Sequence, residues 1–184
     1  MFDRMLAFCM LLVLLPVFIL VAFLIIIDDG FPIFFTQKRV GKKYSFFKLY
    51  KFRTMKKNTP NVATHLLDNP EQYVLRIGRV LRKLSLDELP NLLNIIRGEM
   101  VFVGPRPALY NQDDLMQLRV EAGVSHLKPG LTGWAQIHGR DAISIEEKVA
   151  LEKEYLQKKS VVLDAKIFFS TFGAAFLKKE GVSH

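Results

Sequence analysis

From Met5 to Ile27 the chain runs for 23 residues without a charged side chain, and one proline, Pro16, sits near the middle of the run. As a straight helix rising about 1.5 Å per residue, the run reaches roughly 35 Å, enough to cross a hydrocarbon core about 30 Å thick. Proline lacks an N–H and its ring clashes with the preceding turn. The expectation is a break that leaves two halves, Met5 to Leu15 and Val17 to Ile27, each about 16 Å long and reaching only the midplane. Basic residues flank the run on both sides, Arg4 before it and Lys38, Arg39, Lys42 and Lys43 after it, and such flanks favour the cytoplasmic side. The expected organisation is a re-entrant membrane helix over residues 1–29, broken at Pro16, and a cytosolic domain over residues 30–184. A kinked ordinary span is the alternative, because neighbouring groups can satisfy the backbone that proline frees. A cleaved secretory signal fits less well: the run exceeds an apolar region of about 7–15 residues, and no small-x-small site follows it.

The remaining part, about 155 residues, suits one domain with a single core. The chain carries 26 Lys and Arg against 18 Asp and Glu, a net charge of +8. The excess is concentrated: no acidic residue lies between Asp29 and Asp68, where Lys38, Arg39, Lys42, Lys43, Lys48, Lys51, Arg53, Lys56 and Lys57 all fall. A field of this kind attracts anionic headgroups, phosphorylated substrates or nucleic acid. Beside an apolar segment, membrane lipids and lipid-linked phosphates are the expected partners. Phe46, Phe47, Tyr50 and Phe52 alternate with lysines in a pattern seen in single-strand binders, but aromatic residues at strand spacing usually form core and no nucleic-acid motif is present. Cys9 is the only cysteine, which excludes an internal disulfide and a cysteine metal site. His65, His126, His138 and His184 lack the spacing of zinc ligands.

Short β-prone groups, Ile33 to Phe35 and Phe46 to Phe52, separated by Gly41-Lys42-Lys43, predict a strand pair. A helix is expected over Glu71 to Leu84, with Arg79 and Arg82 one turn apart on one face. Gly104-Pro105-Arg106-Pro107 must be a rigid turn that presents Arg106, and Pro129 to Gly133 and Gly139-Arg140 are read as further turns. Ser144 with Glu147 predicts a capped helix to about Lys159, and an apolar helix over about Leu163 to Lys178 either packs on the domain or lies in the lipid interface. The fold class is therefore mixed α/β, mainly α-helical with short strands, in a small domain with interfacial amphipathic helices.

Ser85-Leu86-Asp87-Glu88-Leu89-Pro90 admits two readings. Ser85 with Glu88 matches a capping box, with acidic side chains complementing a helix dipole. The same position also suits phosphate chemistry, because a helix start offers backbone N–H groups to an anion. Arg79, Arg82, Lys83 and Arg106 can neutralise phosphate oxygens, which would let Asp87 meet a phosphorus atom while Glu88 binds a divalent cation or acts as a base.

Taken with Phe34-Thr36-Gln37-Arg39-Gly41, Tyr50-Lys51-Phe52-Arg53-Thr54-Met55, Asn91 to Asn94, Gly98-Glu99-Met100, Val103-Gly104-Pro105-Arg106-Pro107, Pro129 to Gln136 and Gly139-Arg140, the chain resembles the monotopic phosphoglycosyl transferases of the bacterial sugar transferase group. The resemblance covers almost the whole sequence. It implies transfer of a sugar phosphate from a UDP-sugar to polyprenyl phosphate, giving a polyprenyl diphosphate sugar and UMP. It further implies Asp87 as nucleophile, Glu88 as its partner, Mg2+ as cofactor held by the same two carboxylates, and substrate contacts from Lys51, Arg53, Arg82, Arg106, Gln136 and Arg140. A location on the cytoplasmic face of the bacterial inner membrane follows, and a homodimer is compatible with it. One departure stands out: many members have serine before the membrane proline, where this chain has Leu15, which weakens the case for a sharp break. The rival reading is a membrane-tethered protein that binds anionic lipid and catalyses nothing; in that case Asp87→Asn would change neither activity nor membrane association.

Overall fold

A computed structural model describes residues 1–60, 69–139 and 143–177. Among them the architecture is mixed and mainly helical. Helix α1, Phe2–Asp29, is long and apolar enough to cross a membrane. The break expected at Pro16 is not seen: the backbone stays helical through it. Tertiary packing accounts for this. Ala7 packs with Leu92, Ile95 and Met100, while Phe18, Val21 and Ile25 pack with Phe52, Leu75 and Leu81, so apolar contacts on both sides of Pro16 offset its missing hydrogen bond. Ala7 and Ile25 are 0% exposed, whereas Val13, Ile19, Leu20 and Phe23 on the other side lie open.

Both ends of α1 are fixed to the same body. The Phe102 N–H donates to Asp3 Oδ1 (3.4 Å) and Arg4 Nη2 donates to the Arg97 carbonyl (3.3 Å). At the far end the Ile77 N–H donates to Asp28 Oδ2 (3.1 Å) and Arg53 pairs with Asp29.

The expected strand pair forms, and it is longer than the β-prone groups alone indicate. β1, Phe34–Val40, runs antiparallel to β2, Phe46–Phe52, with Phe34 opposite Phe52 and Val40 opposite Phe46. Phe47, Leu49 and Phe52 are buried. The predicted helix over Glu71 to Leu84 is shorter: a 3-10 turn, Pro70–Tyr73, precedes a bridge between Val74 and Met55, and α2 covers Arg76–Lys83. The Leu75 N–H donates to the Thr54 carbonyl (2.9 Å), so pairing with the chain after β2 overrides local helix preference.

After α3, Asn91–Arg97, comes β3, Val101–Val103. Then follow α4, Asp113–Glu121, and β4, Gly130–Thr132, which pairs in parallel with β3. The Pro129 to Gly133 segment, read from sequence as a turn, thus carries a strand. Its glycines serve close backbone approach: a Cβ on Gly130 would lie 2.2 Å from Gly104 N, and one on Gly133 would lie 2.2 Å from Gly104 O. Gly130→Ala must push these strands apart. We expect it to lower stability by about 1–3 kcal/mol, measured as a shift of the urea midpoint.

The remaining elements are α5, Trp134–His138; α6, Ile145–Lys158; and α7, Val161–Leu177. The Ser144–Glu147 capping box forms as predicted, with both reciprocal bonds present. On α7, Ile167 is buried while Val161, Val162 and Phe169 are exposed. Asp164 accepts from the buried Tyr155 hydroxyl at 2.6 Å, which joins α6 to α7.

Candidate active site

The Asp87-Glu88 pair lies on a 3-10 turn, Leu86–Glu88, before α3. Ser85 adopts a left-handed backbone (φ 55°) and its side chain makes no cap bond, so the capping box that the sequence offers does not form. Pro90 then leads into α3. The acidic pair therefore sits ahead of α3 and not in its first turn.

The turn packs against β2, and one residue sets that contact. Asn94, fully buried, accepts from the Tyr50 N–H (3.1 Å) and donates to the Lys48 carbonyl (2.7 Å) and to Glu99 Oε2 (2.7 Å). Its amide occupies the edge of β2 as a neighbouring strand would, fixing α3 beside Lys51. Lys51 Nζ lies 2.8 Å from Glu88 Oε1 and 4.0 Å from Asp87 Oδ2. Arg106 Nη1 approaches Glu88 Oε1 at 3.9 Å.

Asp87 is 8% exposed. Burial pushes its carboxyl up to about 6; Lys51 and Arg82 pull against that rise, while the neighbouring Glu88 charge adds to it. Near neutral pH the group is an ionised, poorly hydrated carboxylate, the state a nucleophile toward phosphorus requires. Arg82 is held by Nε donating to Thr54 Oγ1 (2.9 Å), and burial lowers its pKa against the attraction of Asp87.

The Gly104–Pro107 turn is braced from two sides. Arg119 Nη2 donates to the Arg106 carbonyl (2.9 Å) and Arg39 Nη1 to the Pro107 carbonyl (3.0 Å). Arg119 itself is buried in an ion pair with Glu152, at 2.5 and 2.8 Å. A cleft lined by Arg39, Lys51, Glu88, Asn91, Arg106 and Leu131 opens between this turn and Glu88; Asp87, next to Glu88, is not among its lining residues.

The structure thus brings together Lys51, Arg82, Asp87, Glu88 and Arg106 from the predicted set. Arg53 is used elsewhere: it pairs with Asp29 and donates to the carbonyls of Asp29, Gly30 and Pro32, clamping the exit of α1. Gln136, on α5, donates weakly to the Leu131 carbonyl (3.4 Å), and its Oε1 is buried without a partner among the described residues. Arg140 lies outside the described residues. Sequence reasoning did not assign roles to Asn91, Asn94 or Arg119. For the two asparagines the available signal was an amide within an otherwise apolar run, Leu92, Leu93, Ile95 and Ile96.

Among the described residues no cluster of three or more His, Cys, Asp or Glu could hold a metal. Asp87, Glu88 and the side-chain amide oxygen of Asn91, the last buried without a donor among the described residues, offer oxygen donors only. That donor chemistry fits a hard cation such as Mg2+ and does not fit zinc.

The family model described as bacterial sugar transferase matches residues 1–178. The chain is 41% identical over 195 residues to the exopolysaccharide production protein ExoY of Sinorhizobium fredii (strain NBRC 101917 / NGR234), covering 97% of this chain and 85% of that protein. It is 37% identical over 185 residues to the UDP-glucose:undecaprenyl-phosphate glucose-1-phosphate transferase of Escherichia coli (strain K12), covering 96% of this chain and 40% of that protein. It is also 34% identical over 161 residues to the UDP-N-acetylgalactosamine-undecaprenyl-phosphate N-acetylgalactosaminephosphotransferase of Aeromonas hydrophila, covering 85% and 38% respectively.

Proposed function

The chain belongs to the bacterial sugar transferase family, and we propose that it transfers a sugar-1-phosphate from a UDP-sugar to undecaprenyl phosphate, through a covalent phosphosugar on Asp87, to start assembly of a surface glycan. The enzyme is a phosphoglycosyl transferase. The observation that carries the covalent step is the buried Asp87 carboxylate, held beside Glu88 with Lys51, Arg82 and Arg106 around the pair.

In the first half-reaction an Asp87 oxygen bonds to the β-phosphorus of the donor, the bridging Pα–O–Pβ bond breaks on the β side, and UMP leaves with the bridging oxygen. In the second, a phosphate oxygen of the lipid bonds to the same phosphorus and Asp87 is released. Lys51 and Arg106 neutralise phosphate charge, and Lys51 also holds Glu88 in place beside Asp87. Mg2+, bound through Asp87 and Glu88, would supply charge neutralisation for the diphosphate. Two relatives with different sugars in their names match this chain at similar identity, so the proposal specifies the UDP-sugar class and not one sugar.

The attachment of both ends of α1 to one body supports a membrane-inserted but non-crossing anchor, and the basic flanks Arg4, Lys38 and Arg39 favour the cytoplasmic face. A helix whose two ends bond to a single domain cannot place those ends on opposite sides of a bilayer while the domain stays on one side. Residues such as Val13, Ile19 and Phe23 would then face lipid and hold Asp87 near the headgroups, where an isoprenoid phosphate emerges.

Purified protein incubated with Mg2+ and a panel of UDP-sugars, without lipid acceptor, should release UMP and gain a sugar-phosphate mass on the peptide containing Asp87. Absence of any adduct and of UMP release across the panel would refute the covalent route.

A further inference from the structure

We infer that Arg39 is a substrate-binding residue, whose guanidinium together with that of Arg106 holds the diphosphate of the donor in the cleft above Glu88; this rests on reading that cleft as the UDP-sugar site. Arg39 lies near the end of β1 and lines the cleft with Lys51, Glu88, Asn91 and Arg106. Its two recorded bonds go to neutral acceptors, the Pro107 carbonyl at 3.0 Å and Gln37 Oε1 at 2.7 Å. Among the described residues it has no ion-pair partner within 4.0 Å, although it is half-buried.

Two features support an anion at this site. The Arg39 Nε–H is buried with no acceptor among the described residues, an arrangement that native proteins tolerate rarely. Burial, with repulsion from the nearby Arg106 guanidinium, lowers the Arg39 pKa to about 10, while the Glu88 carboxylate pulls the other way. Three cations, Arg39, Lys51 and Arg106, therefore line a cleft whose wall contributes the Glu88 carboxylate. A diphosphate brings the compensating charge, and guanidinium geometry suits phosphate oxygens.

The competing explanation is that Arg39 only braces the turn that carries Arg106. Equilibrium binding of radiolabelled UDP to the full chain in detergent with Mg2+ separates the two, using Arg39→Gln, Arg106→Gln and the double variant, with thermal midpoints to establish folding. Arg39→Gln is expected to weaken UDP binding by about 10- to 100-fold, and inorganic pyrophosphate should compete with UDP on the wild type. In the Arg106→Gln background, Arg39→Gln should weaken UDP binding further. No further loss there means a brace and overturns the inference, as does equal binding by wild type and Arg39→Gln. If Arg39→Gln does not fold, Arg39→Lys in the Arg106→Gln background decides: a further loss of binding supports direct contact by the lost guanidinium fork, and unchanged binding overturns it. A wild-type protein that binds neither UDP nor pyrophosphate removes the donor-site reading itself and the inference with it, an outcome distinct from loss of the Arg39 effect alone.

Discussion

Asp87→Asn is expected to reduce transfer by about 10⁴-fold or more, as removal of a nucleophile does elsewhere, and to abolish the covalent adduct. The same substitution should make the protein more stable at pH 8. Asp87 titrates at about 6 in the folded chain against an ordinary value of 3.8. Because the folded-state value is raised, folding favours the protonated carboxyl. The penalty is absent below about pH 4, grows between there and pH 6, and is complete above, reaching about 3 kcal/mol at ~1.4 kcal/mol per unit. Asparagine carries no charge and escapes it. Thermal unfolding should show Asp87→Asn above wild type at pH 8, with the gap closing near pH 3.5; a variant less stable than wild type at pH 8 would contradict the desolvation account.

Arg119→Leu is expected to cost about 3–5 kcal/mol, read from urea unfolding, because it leaves Glu152 charged, 2% exposed and without its partner. Replacing both Arg119 and Glu152 by leucine should recover most of that loss, since no isolated charge then remains. It should not recover the donor KM. The Arg106 carbonyl would still lack the guanidinium that now holds it at 2.9 Å, so the turn presenting Arg106 stays loosened. A double variant with wild-type KM would show that the pair serves stability alone.

These two residues also show what could be read in the chain before its fold was known. Short β-prone groups on either side of Gly41-Lys42-Lys43 made the β1–β2 hairpin visible, two prolines made the Arg106 turn visible, and Ser144 with Glu147 marked the start of α6. Asp87, Glu88, Lys51, Arg82 and Arg106 stand out because their flanking motifs resemble one family across the chain. Partners distant in sequence were not legible. Arg119 and Glu152 are 33 residues apart, and Arg53 and Asp29 are 24 apart; which cation meets which carboxylate depends on packing that no local pattern encodes. Arg53 illustrates the point: within a basic stretch it looks like a phosphate ligand, yet a carboxylate and three carbonyls at the exit of α1 take up its donors. Pro16 erred in the opposite direction, since a strong local breaker was overruled by apolar contacts on either side. Glycines at 130 and 133 resembled a turn because close backbone approach and chain reversal demand the same residue.

The way α1 is seated has a practical consequence for anyone handling this enzyme. Phe18, Val21 and Ile25 fill a cluster with Phe52, Leu75 and Leu81, and Ala7 closes a second one over Leu92 and Ile95. Trimming the first 29 residues would therefore not yield a smaller water-soluble catalyst. It would bare the apolar floor beneath β2 and α3, the two elements that hold Lys51 and the acidic pair in register, and the shortened product should aggregate.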